Sequence, residues 1–310
     1  MEGTVVVDGV RAPATAEAVR SLVSATTPFW LDLDGVDADA SGLLSDTFQL
    51  HPLAVEDAEH FGQRPKIDEF DHFTYFVVHG ADPSGTGTSE LHIFLVPHAV
   101  ITVHRGPCPA LDLVHARVER RHQIQDVSPQ IVLLYLIVDG LIDSFFPVLN
   151  DFDDRIDTLE DEILKAPTEA QLGVLFDMKR GLIAMRKSVT PQRDMFSALA
   201  SGLVDLPGLT VEGQRYFRDI YDHLIRISEM VDGYRDLLSG VMDTHLSTVS
   251  NRLNVVMKQL TIIATIFLPL SYLTGFFGQN FAFLVRNITG TSSFLIFAIG
   301  LEVAAAVVLL

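Results

Sequence analysis

From Gln259 to Val285 the chain carries no charged residue. The heart of that stretch, residues 260–277, is almost wholly apolar or small, and about 20 such residues are enough for a helix to cross a bilayer. Pro269 lies inside it, a residue that membrane helices accommodate better than soluble ones do. A second apolar run, 294–310, follows a short polar link at 287–293. Together they read as two spans, about 259–278 and 293–310, joined by a tight loop. The competing reading is a buried hairpin of a soluble protein. Whatever else the chain builds has to be compatible with a two-helix membrane region and a bilayer as partner.

Charge separates that region from the rest. Of the 22 Lys+Arg and 40 Asp+Glu in 310 residues, positions 246–310 hold three basic and one acidic residue (Arg252, Lys258, Arg286, Glu302), leaving 19 and 39 in residues 1–245. The first part is therefore strongly acidic, which argues against a nucleic-acid partner, since such binders need a basic footprint. The single cysteine, Cys108, excludes an intramolecular disulfide framework and a Cys-rich zinc site. The opening MEGTVVVDGV lacks the basic-then-apolar order of a signal peptide. The acidic domain is accordingly expected in the cytoplasm, with both ends of the hairpin returning to that side of an inner or plasma membrane. Arg252 and Lys258 before the first span, against Arg286 alone in the outer loop, agree with that orientation.

Residues 1–127 read as an α/β domain. Strands are predicted at 4–7, 29–33, 73–78, 91–96 and 100–104, from runs of Val, Ile, Phe and Tyr. Helices are predicted at 14–24, 39–48, 52–59 and 107–123, and the run DPSGTGT at 82–88 reads as a turn. From residue 128 the pattern is helical: 128–165 and 168–200 form a hairpin (domain 128–208), with kinks expected at Pro147 and Pro191. The first of these helices carries Asp151, Asp153, Asp154, Asp157, Glu160, Asp161 and Glu162. That stretch reads as a solvated face, or else as a surface that draws cations to a pore mouth.

Between Val211 and Pro269 there is no proline. A helix over 211–277 is about 100 Å long at about 1.5 Å per residue, which suggests a stalk (209–258) running into the membrane region (259–310). Stepping along it by fours and threes gives Asp243, Ser247, Ser250, Asn254, Met257, Thr261, Ala264, Leu268, Ser271, Gly275 and Gly278. This heptad-type seam is small and polar inside the membrane, where the neighbouring faces carry Ile262, Ile263, Ile266, Phe267, Leu270 and Phe276. Such a seam either packs helices closely or lines a water-filled path. The acid at one end and the GQN at the other favour the path, and one such helix per chain then requires several chains in a ring.

The run NRLNVVMKQLTIIATIFLPLSYLTGFFGQNF at 251–281 resembles the signature of CorA-type divalent cation transporters, the two-span GxN family. LHPLAVEDAEHFGQRPK at 50–66 and FRDIYDHLIRISEMVDGYRDLLSGVMD at 217–243 extend the resemblance over most of the chain. It implies a homopentamer that is no enzyme: a funnel-shaped α+β cytoplasmic domain with long helices, and a continuous stalk helix entering a two-helix transmembrane hairpin. By residue, it puts Gly278, Gln279 and Asn280 at the entrance. Asp243, Asn254, Met257, Thr261, Leu268, Ser271 and Gly275 fall along the pore, and Asp219 in an inter-subunit regulatory Mg²⁺ site whose partner corresponds to Asp82. The implied cargo is hydrated Mg²⁺, with Co²⁺ or Ni²⁺ besides. Mg²⁺ keeps its water shell, which suits neutral oxygens at the entrance and apolar constrictions at Leu268 and Met257.

Gln279 stands where the family usually has Met, as in ZntB-like zinc transporters, so Zn²⁺ transport, with or without proton coupling, is the alternative. A membrane-tethered scaffold that transports nothing is a more distant one. Glu302 is an acid inside the second span, where ionised groups are costly. FWLDLDGV at 29–36 resembles the nucleophile motif of haloacid-dehalogenase phosphatases, but reads better as a strand end and acidic turn. His92, His98 and His104 read as packed or surface histidines, and Asn287–Thr289 as a sequon without a secretory setting.

Overall fold

The structure is a computed structural model that describes residues 1–82, 87–118, 127–279, 281–287 and 289–309. The chain divides into two compact units, one of Met1–Glu162 with Thr168–Met242, the other of Ile163–Pro167 with Asp243–Leu310.

The first unit is built on a seven-stranded sheet in the order β2-β1-β3-β7-β6-β5-β4. The strands are β1 (Gly3–Val7), β2 (Val10–Pro13), β3 (Phe29–Asp34), β4 (Lys66–Glu69), β5 (Thr74–Ala81), β6 (Thr88–Val96) and β7 (Ala99–His104). Every pairing is antiparallel except β3 with β7. The five predicted strands are present. The two that the apolar pattern misses, β2 and β4, are the short edge strands, one fully exposed and the other half-exposed. Asp8 and Gly9 both have positive φ and make the Asp-Gly turn that folds β2 back on β1. The turn predicted at 82–88 lies largely outside the described residues.

Helices α1 (Ala16–Ser24), α2 (Ala38–Gly42) and α3 (Pro52–Glu59), with a π-helical turn at Leu43–Thr47, come between the strands. Val19, Leu43, Leu44, Ala54, Val55 and Ala58 join the core formed by Leu31, Leu33, Tyr75, Phe94 and Ile101. Helix α4 (Pro109–Val118) lies within the predicted 107–123, of which 119–123 fall outside the described residues. Helix α5 (Pro129–Asp143) packs on β5 and β7. With the helix that follows, it forms a stretch, Pro129–Lys165, apolar and long enough to cross a membrane by composition, yet ten of the fifteen residues of α5 are buried within this unit. Covered on both faces, β5 is buried at all eight positions, as expected for a strand between two layers of helices. Two glycines permit the approach: a Cβ on Gly80 would lie 2.8 Å from the Leu141 side chain, and one on Gly140 2.6 Å from Val114.

The single helix predicted over 128–165 is two. Helix α5 ends at Asp143 and α6 runs Phe145–Lys165. Pro147 has no N–H for the Asp143 carbonyl and its ring crowds that carbonyl, so the chain breaks a turn before the proline rather than bending at it. Ser144 fills the break, donating to the Leu141 carbonyl (2.5 Å) and accepting from the Ala81 N–H (2.8 Å). On α6, Phe145, Leu149, Phe152, Ile156, Leu159 and Ile163 are buried, while of the seven acids between them only Glu160 is less than exposed. The acidic stretch is thus an exposed face, as both readings of it require. Helix α7 (Glu169–Ala200) continues through Pro191. Next to it, Gln192 accepts from the His79 N–H (2.9 Å), and Ser188 lies 3.0 Å from His79 Nδ1, tying the helix to β5.

Helix α8 is the predicted 67-residue helix, Val211–Phe277. Up to Met242 it belongs to the first unit, where Phe217, Ile220, Leu224, Ile227, Val231, Leu238 and Val241 are buried. The second unit contains the rest of α8, α9 (Ala282–Asn287), α10 (Thr291–Ser293), a π-helical stretch (Phe294–Gly300) and α11 (Leu301–Leu309). It also holds the tight turn after α6, where Arg252 donates to the Lys165 carbonyl (2.6 Å). Two apolar membrane-length helices, α8 and Thr291–Val308, bury none of their most apolar windows within the chain. An apolar surface of that extent requires lipid or other copies of the chain.

Candidate functional site

In the second unit the seam residues lie where the spacing predicts, along one helix. Asp243, Asn254, Met257, Thr261, Leu268, Ser271 and Gly275 are all on α8 and exposed in the single chain. Thr261 donates to the Met257 carbonyl (2.8 Å), so its oxygen remains as an acceptor on the helix surface. Helix α8 ends at Phe277. The Gly278 N–H donates to Thr274 O (2.9 Å) and the Gln279 N–H to Phe276 O (3.3 Å). A Cβ on Gly278 would sit 3.0 Å from that Thr274 carbonyl, which suits glycine at this turn. Asn280 lies outside the described residues. Gly278 and Gln279 border a cavity of ≈ 540 Å³ between the end of α8 and the second apolar helix, which Glu302 also lines.

In the first unit, Asp219 on α8 accepts from the Tyr135 hydroxyl (3.0 Å) and lies 4.0 Å from His223 Nε2. Around it is a cluster that the sequence reading does not name. Asp139 and Asp143, one turn apart on α5, face His223, one turn from Asp219 on α8. Single ligand atoms of Asp139, Asp143 and His223 lie within 4.8 Å of one another. His223 Nδ1 is 3.7 Å from Asp139 Oδ1 and 3.4 Å from Asp143 Oδ1, and it is buried without a hydrogen bond among the described residues. Arg117 holds the other oxygen of Asp139 at 3.1 Å and stands 3.8 Å from Asp143. Burial, and then the Asp143 charge, push the Asp139 carboxyl up to about 6 against the pull of Arg117 and His223. Burial also raises the Tyr135 phenol, helped by the Asp139 charge and the hydrogen bond to Asp219.

That donor set suits a divalent cation. Ligand atoms on a tetrahedron with bonds of about 2.0–2.1 Å are about 3.3 Å apart, near the spacing here, and a mixed imidazole–carboxylate set takes transition ions as well as hard ones. Its signal in the sequence is a pair of i,i+4 repeats, Asp139/Asp143 and Asp219/His223, readable as one site only once α5 and α8 are known to be neighbours. Asp82 is not one of the cluster's ligands but lines a cavity of ≈ 830 Å³ that Arg117, Asp143 and Asp151 also line.

The phosphatase-like motif is structural. Asp32 is buried and accepts from Thr102 (2.6 Å), with His115 Nε2 at 2.9 Å, while the Trp30 indole donates to Thr102 (2.8 Å) and stacks on His115. Burial works to raise Asp32, but hydrogen bonds from His104, His115 and Thr102 outweigh it and hold the carboxyl below its usual range. His92 is buried beside Tyr75 and Glu90, and His98 occupies a positive-φ turn. Among the described residues, no metal cluster joins these histidines.

Residues 26–310 match the family model described as CorA-like Mg2+ transporter protein. The chain is 34% identical over 274 residues to the cobalt/magnesium transport protein CorA of Thermotoga maritima, covering 86% of this chain and 77% of that one. It is 26% identical over 302 residues to the zinc transport protein ZntB of Yersinia pseudotuberculosis, covering 93% and 88%. Among solved structures, the complete CorA magnesium transporter of Methanocaldococcus jannaschii superposes with a TM-score of 0.82 at 22% identity, over 100% of this chain and 96% of that one. The chain therefore belongs to the CorA-like Mg2+ transporter family, a divalent-cation transporter of the membrane with a cytoplasmic α+β domain, and not an enzyme.

Proposed function

We propose that the chain conducts hydrated Mg²⁺, with Co²⁺ and Ni²⁺ as further cargo, through a homopentameric pore lined by α8. The observation that carries this reading is the seam from Asp243 to Gly278, exposed along its length in the single chain and, apart from Met257 and Leu268, small or polar between faces of Ile and Phe. One helix cannot enclose a path, so closure requires a ring of copies. Gly278, Gln279 and Asn280 offer neutral oxygens to an ion that keeps its water shell, and Leu268 and Met257 close the path by dewetting. At the far end, Asp243 gathers cations.

Cytoplasmic divalent ions gate the pore at the Asp219 side of the first unit. Asp139, Asp143 and His223 hold the ion, with Asp219 beside them and Asp82 reaching from a neighbouring subunit. At high ion concentration the site is filled and holds the subunits together; at low concentration the acids repel and the subunits part.

A ZntB-like Zn²⁺ transporter is the second reading. Gln279 supplies an amide oxygen where a thioether is usual, and the similarity to a zinc transport protein runs the length of the chain. Uptake of Mg²⁺, Co²⁺, Ni²⁺ and Zn²⁺ into proteoliposomes, with and without a pH gradient, separates the two. Mg²⁺ flux that needs no proton gradient and is lost in Asn280→Ala supports the first. Zn²⁺ flux without Mg²⁺ flux establishes the second, and no flux of any ion overturns both.

A further inference from the structure

Glu302 is the only charged residue in 287–310. It lies eleven positions beyond Thr291, where the second apolar helix begins, about 17 Å along it at about 1.5 Å per residue, and so near the middle of a hydrocarbon layer about 30 Å thick. An ionised group at that depth is costly and marks a functional site unless it is paired. Among the described residues, Glu302 has neither an ion pair nor a hydrogen bond. It follows directly on the π-helical stretch Phe294–Gly300. Such wide turns shift the register of the side chains after them and recur at functional sites.

The cavity of ≈ 540 Å³ that Glu302 lines runs to Gly278 and Gln279 at the end of α8, with Thr274 and Ser293 as its other polar residues. Its polar groups are set out for a cation. The Thr274 hydroxyl donates to the Leu270 and Ser271 carbonyls (3.0 and 3.1 Å), which leaves its oxygen to accept. The C-terminal end of α8 borders the cavity through Phe277 and Gly278 and carries the negative end of the helix dipole. Arg286, the one cation of the outer loop, is not in the lining. The volume is ample for an ion with six waters, about 200 Å³ at about 30 Å³ per water.

We infer that Glu302 holds a hydrated divalent cation in this cavity, a loading site beside the entrance loop that sets the external concentration at which transport half-saturates. The inference rests on the transport reading above and adds a binding site away from the α8 seam. The carboxylate is the only negative charge of the region from Gln259 to Leu310, so its removal leaves an entrance with Arg286 alone.

The test uses full-length protein in proteoliposomes with Mg²⁺ as the probe. Glu302→Gln is expected to raise the half-saturating external Mg²⁺ about tenfold with little change in maximal flux, the pattern of lost binding rather than lost turnover. Glu302→Asp keeps the wild-type value within about threefold. A second measurement stands apart from flux. In a Cys108→Ala background, Glu302→Cys should react from the outer side with a cationic thiol reagent, and Mg²⁺ should slow that reaction. Wild-type flux with an unchanged half-saturation in Glu302→Gln overturns the Glu302 site and leaves the transport reading intact. An unreactive thiol, or one that Mg²⁺ does not protect, overturns it too, since the side chain then packs against protein or lipid. Absence of any wild-type flux sinks the transport reading instead, and Mg²⁺-protected labelling would still support a cation site at Glu302.

Discussion

Helix α8 meets two solvents along its length. Before Asp243 one stripe of its apolar residues, Phe217, Ile220, Leu224, Ile227, Val231, Leu238 and Val241, is at most 3% exposed, with Val211 and Leu237 on the open face. Beyond it, Leu253 is 61% exposed, Leu268 71% and Phe267 62%. The residue types are alike, and what differs is the material around them. The first half finds its partners within its own unit. The second half is a surface that the single chain leaves uncovered. Charge follows the same division: six acids lie on α8 before Asp243 and none after it. Burial in a folded chain therefore reads an apolar run correctly only when the chain itself supplies the cover. By hydropathy the stretch Pro129–Lys165, which contains α5, is as apolar as either span, and the burial of α5 against β5 is what removes it from the bilayer.

The largest expected effect breaks this comparison inside the membrane half. An Asp at the centre of a lipid-facing helix costs about 2.5–3.5 kcal/mol on insertion scales, so Ile263→Asp should abolish assembly. Ser271→Asp, on the seam, should leave the oligomer intact by gel filtration and alter ion flux. Equal loss of assembly in both would mean that the seam is a packing surface.

Next in size is a contrast between the halves. Trp30, the sole tryptophan, is buried in the first unit, and its fluorescence in a denaturant melt of the full chain reports that unit. Leu224→Ala, at 0% exposure, should cost about 2–5 kcal/mol, whereas Leu253→Ala should move the Trp30 midpoint by less than about 0.5 kcal/mol. A comparable loss at Leu253 would show that the single chain covers it after all.

The proposed cation site at Asp139, Asp143 and His223 gives a pH-dependent prediction. Asp139 is raised to about 6 from an unfolded value of about 3.9. A raised carboxyl favours the fold at low pH and loses that contribution as pH rises through 6. A bound cation offsets this cost and competes with the proton. Stabilisation by Co²⁺, read as the shift of the Trp30 midpoint, should be large at pH 7.5, fall away below about 6, and vanish at both pH values in Asp139→Asn. A shift that persists unchanged at pH 5 would place the ion elsewhere.

The smallest effect is at Arg252, whose bond to the Lys165 carbonyl is between exposed groups. Arg252→Ala should speed amide exchange in the turn at 163–167 and leave the Trp30 midpoint unchanged within about 0.3 kcal/mol.

Much of the architecture is legible in the sequence because it rests on local pattern. Strands β1, β3, β5, β6 and β7 are runs of β-branched and aromatic residues, and α8 declares itself by 57 residues without proline between Val211 and Pro269. Edge strands β2 and β4 lack that pattern because little covers them. The break at Ser144 is displaced from Pro147 because the missing bond and the clash fall on the carbonyl four residues earlier. The Asp139–Asp143–His223 cluster joins residues about 80 positions apart and depends on how α5 and α8 pack. No spacing along one helix encodes that. Asp219 stands out in the sequence only through the family resemblance. Glu302 is conspicuous as a lone charge, but the cavity it lines is visible only in three dimensions.

The central claim, that the α8 seam faces water while its neighbours face lipid, is tested most directly by spin labels in the reconstituted oligomer. In a Cys108→Ala background, nitroxides attached through Ser271→Cys and Gly275→Cys should relax with a water-soluble nickel chelate, and those at Ile263→Cys and Phe267→Cys with oxygen dissolved in the bilayer. Seam labels that neither reagent reaches, as in a packed helix interface, would contradict a water-filled path along α8.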